Sequence, residues 1–103
     1  RDWGHSRDYV RAMHMIVNHE TPEEFIVATG ETRTVRDLCE ITFNCLDLNY
    51  EDYVVQNPKY MRPEELRYLK GDASKAREVL GWKPEYNFES MIEEMVGHWM
   101  ETI

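Results

Sequence analysis

Hydrophobic positions along the chain fall into helical stripes separated by one short apolar run and several breaks. Tyr9, Val10, Met13, Ile16 and Val17 recur at i, i+1, i+4, i+7 and i+8. That spacing predicts an amphipathic helix starting at His5 or Ser6 and running to about Val17. Asn18-His19-Glu20-Thr21-Pro22 ends it, because Pro22 cannot continue a helix. Phe25-Ile26-Val27-Ala28-Thr29 is a continuous apolar run closed by Gly30. Its length and β-branched content predict a buried strand, parallel to its neighbours.

Thr34 reads as the N-cap of a second helix, with Asp37 in the capping-box position. This helix is expected to reach about Leu46, with Val35, Leu38, Thr42 and Cys45 as its buried stripe and both cysteines in the core. Tyr50 to Val55 reads as a short strand or extended segment, broken by Asn57-Pro58. Ser74 is the expected N-cap of a short helix from Lys75 to Leu80. Gly81 supplies its left-handed end and Trp82 packs back over it. Asn87 caps a last helix, with Tyr86 and Met91 placed as a hydrophobic staple. Its expected buried stripe is Phe88, Ile92, Met95, Trp99 and Ile103. The pattern is therefore mixed α/β, about four helices with two or three short strands. A lone buried-type strand at 25–29 calls for sheet partners that this chain barely supplies.

A length of 103 residues fits one compact portion, 1–103. A mean hydropathy of -0.68 and no long apolar run argue against a membrane span. From the charged start no secretory signal is expected, and Arg1 in place of Met leads us to expect that the chain is cut from something longer. A net charge of -8 without a basic stripe argues against nucleic acid as a partner. Cys39 and Cys45 form no framework of pairs, consistent with reduced thiols and a cytoplasmic location. The four His residues have no companions at metal-ligand spacing, so no metal site is expected.

The richest stretch chemically is Lys59-Tyr60-Met61-Arg62-Pro63-Glu64-Glu65-Leu66. A guanidinium can grip two phosphate oxygens at once, and Pro63 biases Arg62 toward an extended backbone that helps aim it. On a helical turn, Arg62 and Glu65 share a face. One could then hold a phosphate while the other accepts hydrogen bonds from ribose hydroxyls. The plain alternative is a Pro-initiated turn carrying a solvated ion pair.

Three segments carry a family resemblance. Arg1-Asp2-Trp3-Gly4-His5 with Asp8-Tyr9-Val10 resembles the opening of the C-terminal portion of extended short-chain dehydrogenases that act on nucleotide sugars. Ile26-Val27-Ala28-Thr29-Gly30-Glu31 with Val35-Arg36-Asp37 is similar to the next strand and helix of the GDP-mannose 4,6-dehydratase branch. The stretch from Lys59 to Glu65 is similar to that branch's closing half, as are Gly71-Asp72, Lys75-Ala76 and Leu80-Gly81-Trp82-Lys83-Pro84.

The resemblance implies the C-terminal, substrate-binding part of such a fold, with the main Rossmann sheet missing. It implies that Arg62 contacts the pyrophosphate of GDP-mannose, that Glu65 accepts from its ribose, and that Arg1 is a second phosphate-side Arg. It also implies an NADP-dependent parent that is a homo-oligomer. In the family's chemistry NADP oxidises the sugar at C4, water is lost across C5 and C6, and hydride returns to C6. This chain contains no glycine-rich dinucleotide fingerprint, and none of its Tyr residues is followed four positions later by Lys. It is therefore expected to bind no NADP and to be inactive alone. The alternatives are a non-catalytic module of the same descent and a fragment of a related epimerase or reductase.

Overall fold

The computed structural model describes residues 1–60 and 69–102. Among these residues three α-helices form: α1 at Ser6–Val17, α2 at Val35–Asn44 and α3 at Phe88–Thr102. Single 3-10 turns lie at Tyr50–Asp52 and Pro58–Tyr60, and a π-helical turn at Ala76–Leu80. The first of these turns stands where 50–55 predicted an extended segment. Asn49 starts it by accepting the N–H of Glu51 on its side chain, a local bond that competes with strand geometry.

Helix starts follow local chemistry. His5 caps α1 by accepting the N–H of Arg7 on Nδ1 at 3.0 Å. Thr34 and Asp37 form the expected reciprocal capping box on α2. Asn87 and Ser90 do the same on α3, each side chain accepting the other's backbone N–H. The π-helical turn has no side-chain cap, and Ser74, the expected one, is itself a donor. Both the N–H and the hydroxyl of Ser74 donate to the Asp72 carboxylate. The ionised carboxylate two residues upstream draws the Ser74 hydroxyl to itself as a charge-assisted acceptor, so the hydroxyl does not turn to the amides that follow. Gly81 closes this turn at φ 72°, and Trp82 N–H reaches back to Ala76 O.

Two small cores hold these pieces. One is built on Ala12, Ala76 and Trp82, with Tyr9, Met15, Phe25, Val27, Ala73 and Leu80 against it. The other is Phe88, Met91 and Ile92, with Trp3, Leu38, Ile41 and Val96 against it. Three expected stripes are only partly buried. In α1 the buried positions are Asp8 and Ala12, whereas Val10, Met13 and Val17 are 60, 62 and 81% exposed. In α3 burial stops after Ile92 and Val96, and Met95 and Trp99 stay exposed. Ile103 lies outside the described residues. In α2 Val35 and Cys45 face outward. The reason is common to all three: each helix has apolar residues on more than one side, and the chain covers only one.

Among the described residues no strand forms. Residues 25–29 run extended, with Phe25 and Val27 on the first core and Ile26 59% exposed. No hydrogen bond joins the backbone N–H groups of Phe25 to Ala28 to another described residue. The side-chain alternation of a strand is present, but the ladder is absent because a ladder needs a neighbour.

Candidate functional site

Arg62 and Glu65 lie outside the described residues. On their N-terminal side, Lys59 in the Pro58–Tyr60 turn sets its ammonium 5.7 Å from the Tyr60 ring centroid. Arg1 is half-buried and its backbone is pinned from both directions. Its nitrogen donates to Arg33 O at 2.8 Å, and Arg33 N–H donates to Arg1 O at 2.8 Å. The Arg33 guanidinium is engaged elsewhere. It lies 3.3 Å from Glu89 and 3.7 Å from Glu31, and over the Phe88 ring.

The next residue, Asp2, gathers three segments. Its Oδ1 accepts the N–H of Thr29 at 3.1 Å together with the Thr29 hydroxyl. Its Oδ2 accepts Gly30 N–H at 3.0 Å and Gly71 N–H at 3.2 Å. Burial alone raises the pKa of this carboxyl. The bonds from the Thr29 hydroxyl and from the Gly71, Thr29 and Gly30 amides outweigh burial and hold it below the ordinary 3.8. Gly71 fits here because it has no side chain: a Cβ at this position would collide with that of Ala28. Thr32 adds a further tie, its hydroxyl donating to Leu69 O at 3.0 Å.

Over this junction opens a cleft of about 500 Å³, lined by Thr29 and Gly30 on one side and Lys70 to Ser74 with Arg77 on the other. Asp72 is held below its ordinary pKa, first by the Ser74 hydroxyl and amide and then, against the effect of burial, by the nearby Arg77 and Lys70 charges. The amides of Thr29, Gly30, Gly71 and Ser74 and the hydroxyls of Thr29 and Ser74 already donate to Asp2 and Asp72, so the cleft presents the cations Lys70 and Arg77 beside the Asp72 carboxylate. Among the described residues no group of three or more His, Cys, Asp and Glu could hold a metal ion. No helix there is long and apolar enough to cross a membrane.

The sequence profile of the family described as GDP-mannose 4,6 dehydratase matches residues 1–95. The chain belongs to this family. Among its relatives, GDP-mannose 4,6 dehydratase 2 of Arabidopsis thaliana is 46% identical over 101 residues, covering 98% of this chain and 27% of the relative. The human GDP-mannose 4,6 dehydratase is 36% identical over 114 residues, covering 93% and 30%. The structure of RMD from Pseudomonas aeruginosa complexed with NADPH superposes over the whole chain and 33% of its own length, with a TM-score of 0.85 at 23% identity. That likeness establishes the fold. The chain thus spans about a third or less of the length of these relatives.

Within the matched family region, the resemblance implied a role for Arg1 and none for Asp2 or Asp8. Asp8 is 2% exposed. Its carboxylate accepts Glu85 N–H at 2.9 Å and Tyr86 N–H at 3.2 Å and lies 3.4 Å from Arg11. Its backbone oxygen accepts Trp82 Nε1–H at 2.8 Å. Hydrophobic periodicity marks an Asp as outward-facing, so only the partners reveal the buried Asp8 and the half-buried Asp2 as joints.

Proposed function

We propose that this chain is the nucleotide-sugar-holding portion of a cytoplasmic GDP-mannose 4,6-dehydratase, an NADP-dependent lyase that converts GDP-mannose to GDP-4-keto-6-deoxy-mannose. The observation that carries the reading is the family match over residues 1–95, which takes in Arg1, Arg62 and Glu65. In this reading Arg62 and Arg1 grip the pyrophosphate and Glu65 accepts from the ribose. The doubly pinned backbone of Arg1 supports it, because a guanidinium on a fixed mount loses less freedom when it binds. This sequence carries neither a dinucleotide fingerprint nor a Tyr-x-x-x-Lys pair, so NADP and the reacting groups belong to another portion of the enzyme. The contribution made here is affinity remote from the reacting carbons, which orients the sugar for the chemistry.

The absence of those catalytic motifs also favours a second reading, a non-catalytic module of the same descent that binds a nucleotide sugar. The coding sequence preceding Arg1 separates the two: a Rossmann half bearing Tyr-x-x-x-Lys decides for the enzyme. The functional test has two parts. The 103-residue chain, incubated with GDP-mannose and NADP, yields no keto-sugar. The full-length protein containing it binds GDP saturably in a calorimetric titration. Turnover by the pure chain overturns the division of labour, and absence of GDP binding by the full-length protein overturns the whole reading.

A further inference from the structure

We propose that Asp2 is a positioning residue for nucleotide-sugar binding, one that acts through Arg1 by fixing the backbone from which Arg1 projects. The inference rests on the reading above, in which Arg1 faces the pyrophosphate. The geometry is specific. Arg1 has its own nitrogen and oxygen bonded to Arg33. The adjacent Asp2 side chain then anchors the same piece of backbone to Thr29, Gly30 and Gly71. These anchors come from two separate segments, and the second follows directly on the stretch that carries Arg62 and Glu65. Four donors converge on one carboxylate, so both of its oxygens are used.

An Asn at this position keeps the shape and one acceptor oxygen. It turns the other side of the group into an N–H₂ that faces the Gly30 and Gly71 amides, donor against donor. The Arg1 mount then loosens although no ligand contact has been removed. A longer side chain does not rescue this, because the junction is closed by Gly71 pressed on Ala28.

The test is a double-mutant cycle in the full-length protein, read by calorimetric titration with GDP and, separately, with guanosine at neutral pH. Circular dichroism confirms that each variant is folded at the titration temperature. Asp2→Asn is expected to weaken GDP at least about tenfold and to leave guanosine within about twofold. Its effect on GDP is expected to vanish in an Arg1→Ala background, the signature of a residue acting through another. A merely structural Asp2 shifts the melting temperature and leaves these affinities of the folded protein alone, and that result overturns the proposal. Equal losses for GDP and guanosine, or an undiminished Asp2→Asn effect without Arg1, overturn it too. If Asp2→Asn does not fold, Thr29→Val removes one of the four donors and is expected to weaken GDP about threefold with guanosine unchanged. An unaltered GDP affinity in that variant refutes the proposal. A wild-type protein with no affinity for GDP instead refutes the functional reading on which it rests.

Discussion

At Asp8 a carboxylate is 2% exposed, and it ties the first turn of α1 to the loop before α3 through the amides of Glu85 and Tyr86. Asp8→Ala leaves both N–H groups without their acceptor and removes one of several partners of Arg11, which also donates to Lys83 O and lies near Glu85. The expected cost is about 2–4 kcal/mol of stability, with Asp8→Asn costing roughly half as much because one acceptor remains. Thermal unfolding followed by circular dichroism measures it; a loss below about 0.5 kcal/mol for the Ala variant contradicts the accounting. Arg62 poses the complementary question, one of binding. Arg62→Lys keeps the charge and removes the fork, so in the full-length protein it is expected to cost on the order of 1–3 kcal/mol of GDP affinity, roughly a tenfold to hundredfold loss. NADP affinity is expected to hold. An unchanged GDP dissociation constant removes Arg62 from the site.

Among the elements, α2 depends most on its ends. It has no fully buried residue, and only Leu38 and Ile41 reach the second core. Its capping box depends on an ionised Asp37. The Thr34 amide and hydroxyl hold that carboxyl below the ordinary 3.8, against the effect of burial and with help from Arg33. A lowered folded pKa means that the stabilisation is complete above the unfolded value and is lost as pH falls through the folded one. Asp2, Asp72 and Glu23 shift the same way, against ordinary values of 3.8, 3.8 and 4.5. The chain is therefore expected to keep its helicity above about pH 5 and lose it progressively below pH 4. Tyr9 sets the opposite limit. Burial, then the Asp2 and Asp8 charges, raise its pKa above 10, so its contribution is present below that value and lost in stronger alkali. A pH series of ellipticity at 222 nm checks both limbs, and Asp37→Asn is expected to flatten part of the acid one.

For the molecule as a whole, the decisive fact is thinness. The principal extents are 52, 38 and 18 Å and the radius of gyration is 16.7 Å, whereas a compact domain of this length has about 13 Å. Among the described residues seven hydrophobic ones are buried, too few for a core that closes on itself. Val10, Met13 and Val17 of α1, Ile26 of the extended run, and Met95, Trp99 and Met100 of α3 are left exposed. Exposed apolar faces together with unpaired extended backbone recruit other chains. The isolated 103-residue chain is accordingly expected to self-associate with rising concentration. Ile26→Lys, which places a charge on the open run, is expected to reduce that association. Size-exclusion chromatography with light scattering is the measurement, and a concentration-independent monomer with a cooperative melt shows instead that the chain closes its own core.

What the sequence determined by itself is the set of features that depend on residues close along the chain. The Thr34–Asp37 box, the Asn87 cap, the helix start at Ser6, one of the two positions expected, and the left-handed Gly81 are local hydrogen bonds and dihedral preferences, and all stand where the pattern put them. The family, too, was legible from ordered short motifs. Only the tertiary structure decided which face of each helix is buried, because apolar residues occupy more than one side of α1 and α3 and burial is settled by what packs against them. The same holds for 25–29: its composition specifies a strand, but a strand exists only as a pair, and the partner is not among the described residues. Asp2 and Asp8 were illegible for a related reason. A carboxylate becomes a joint only when amides distant in sequence converge on it, and no local pattern records that convergence.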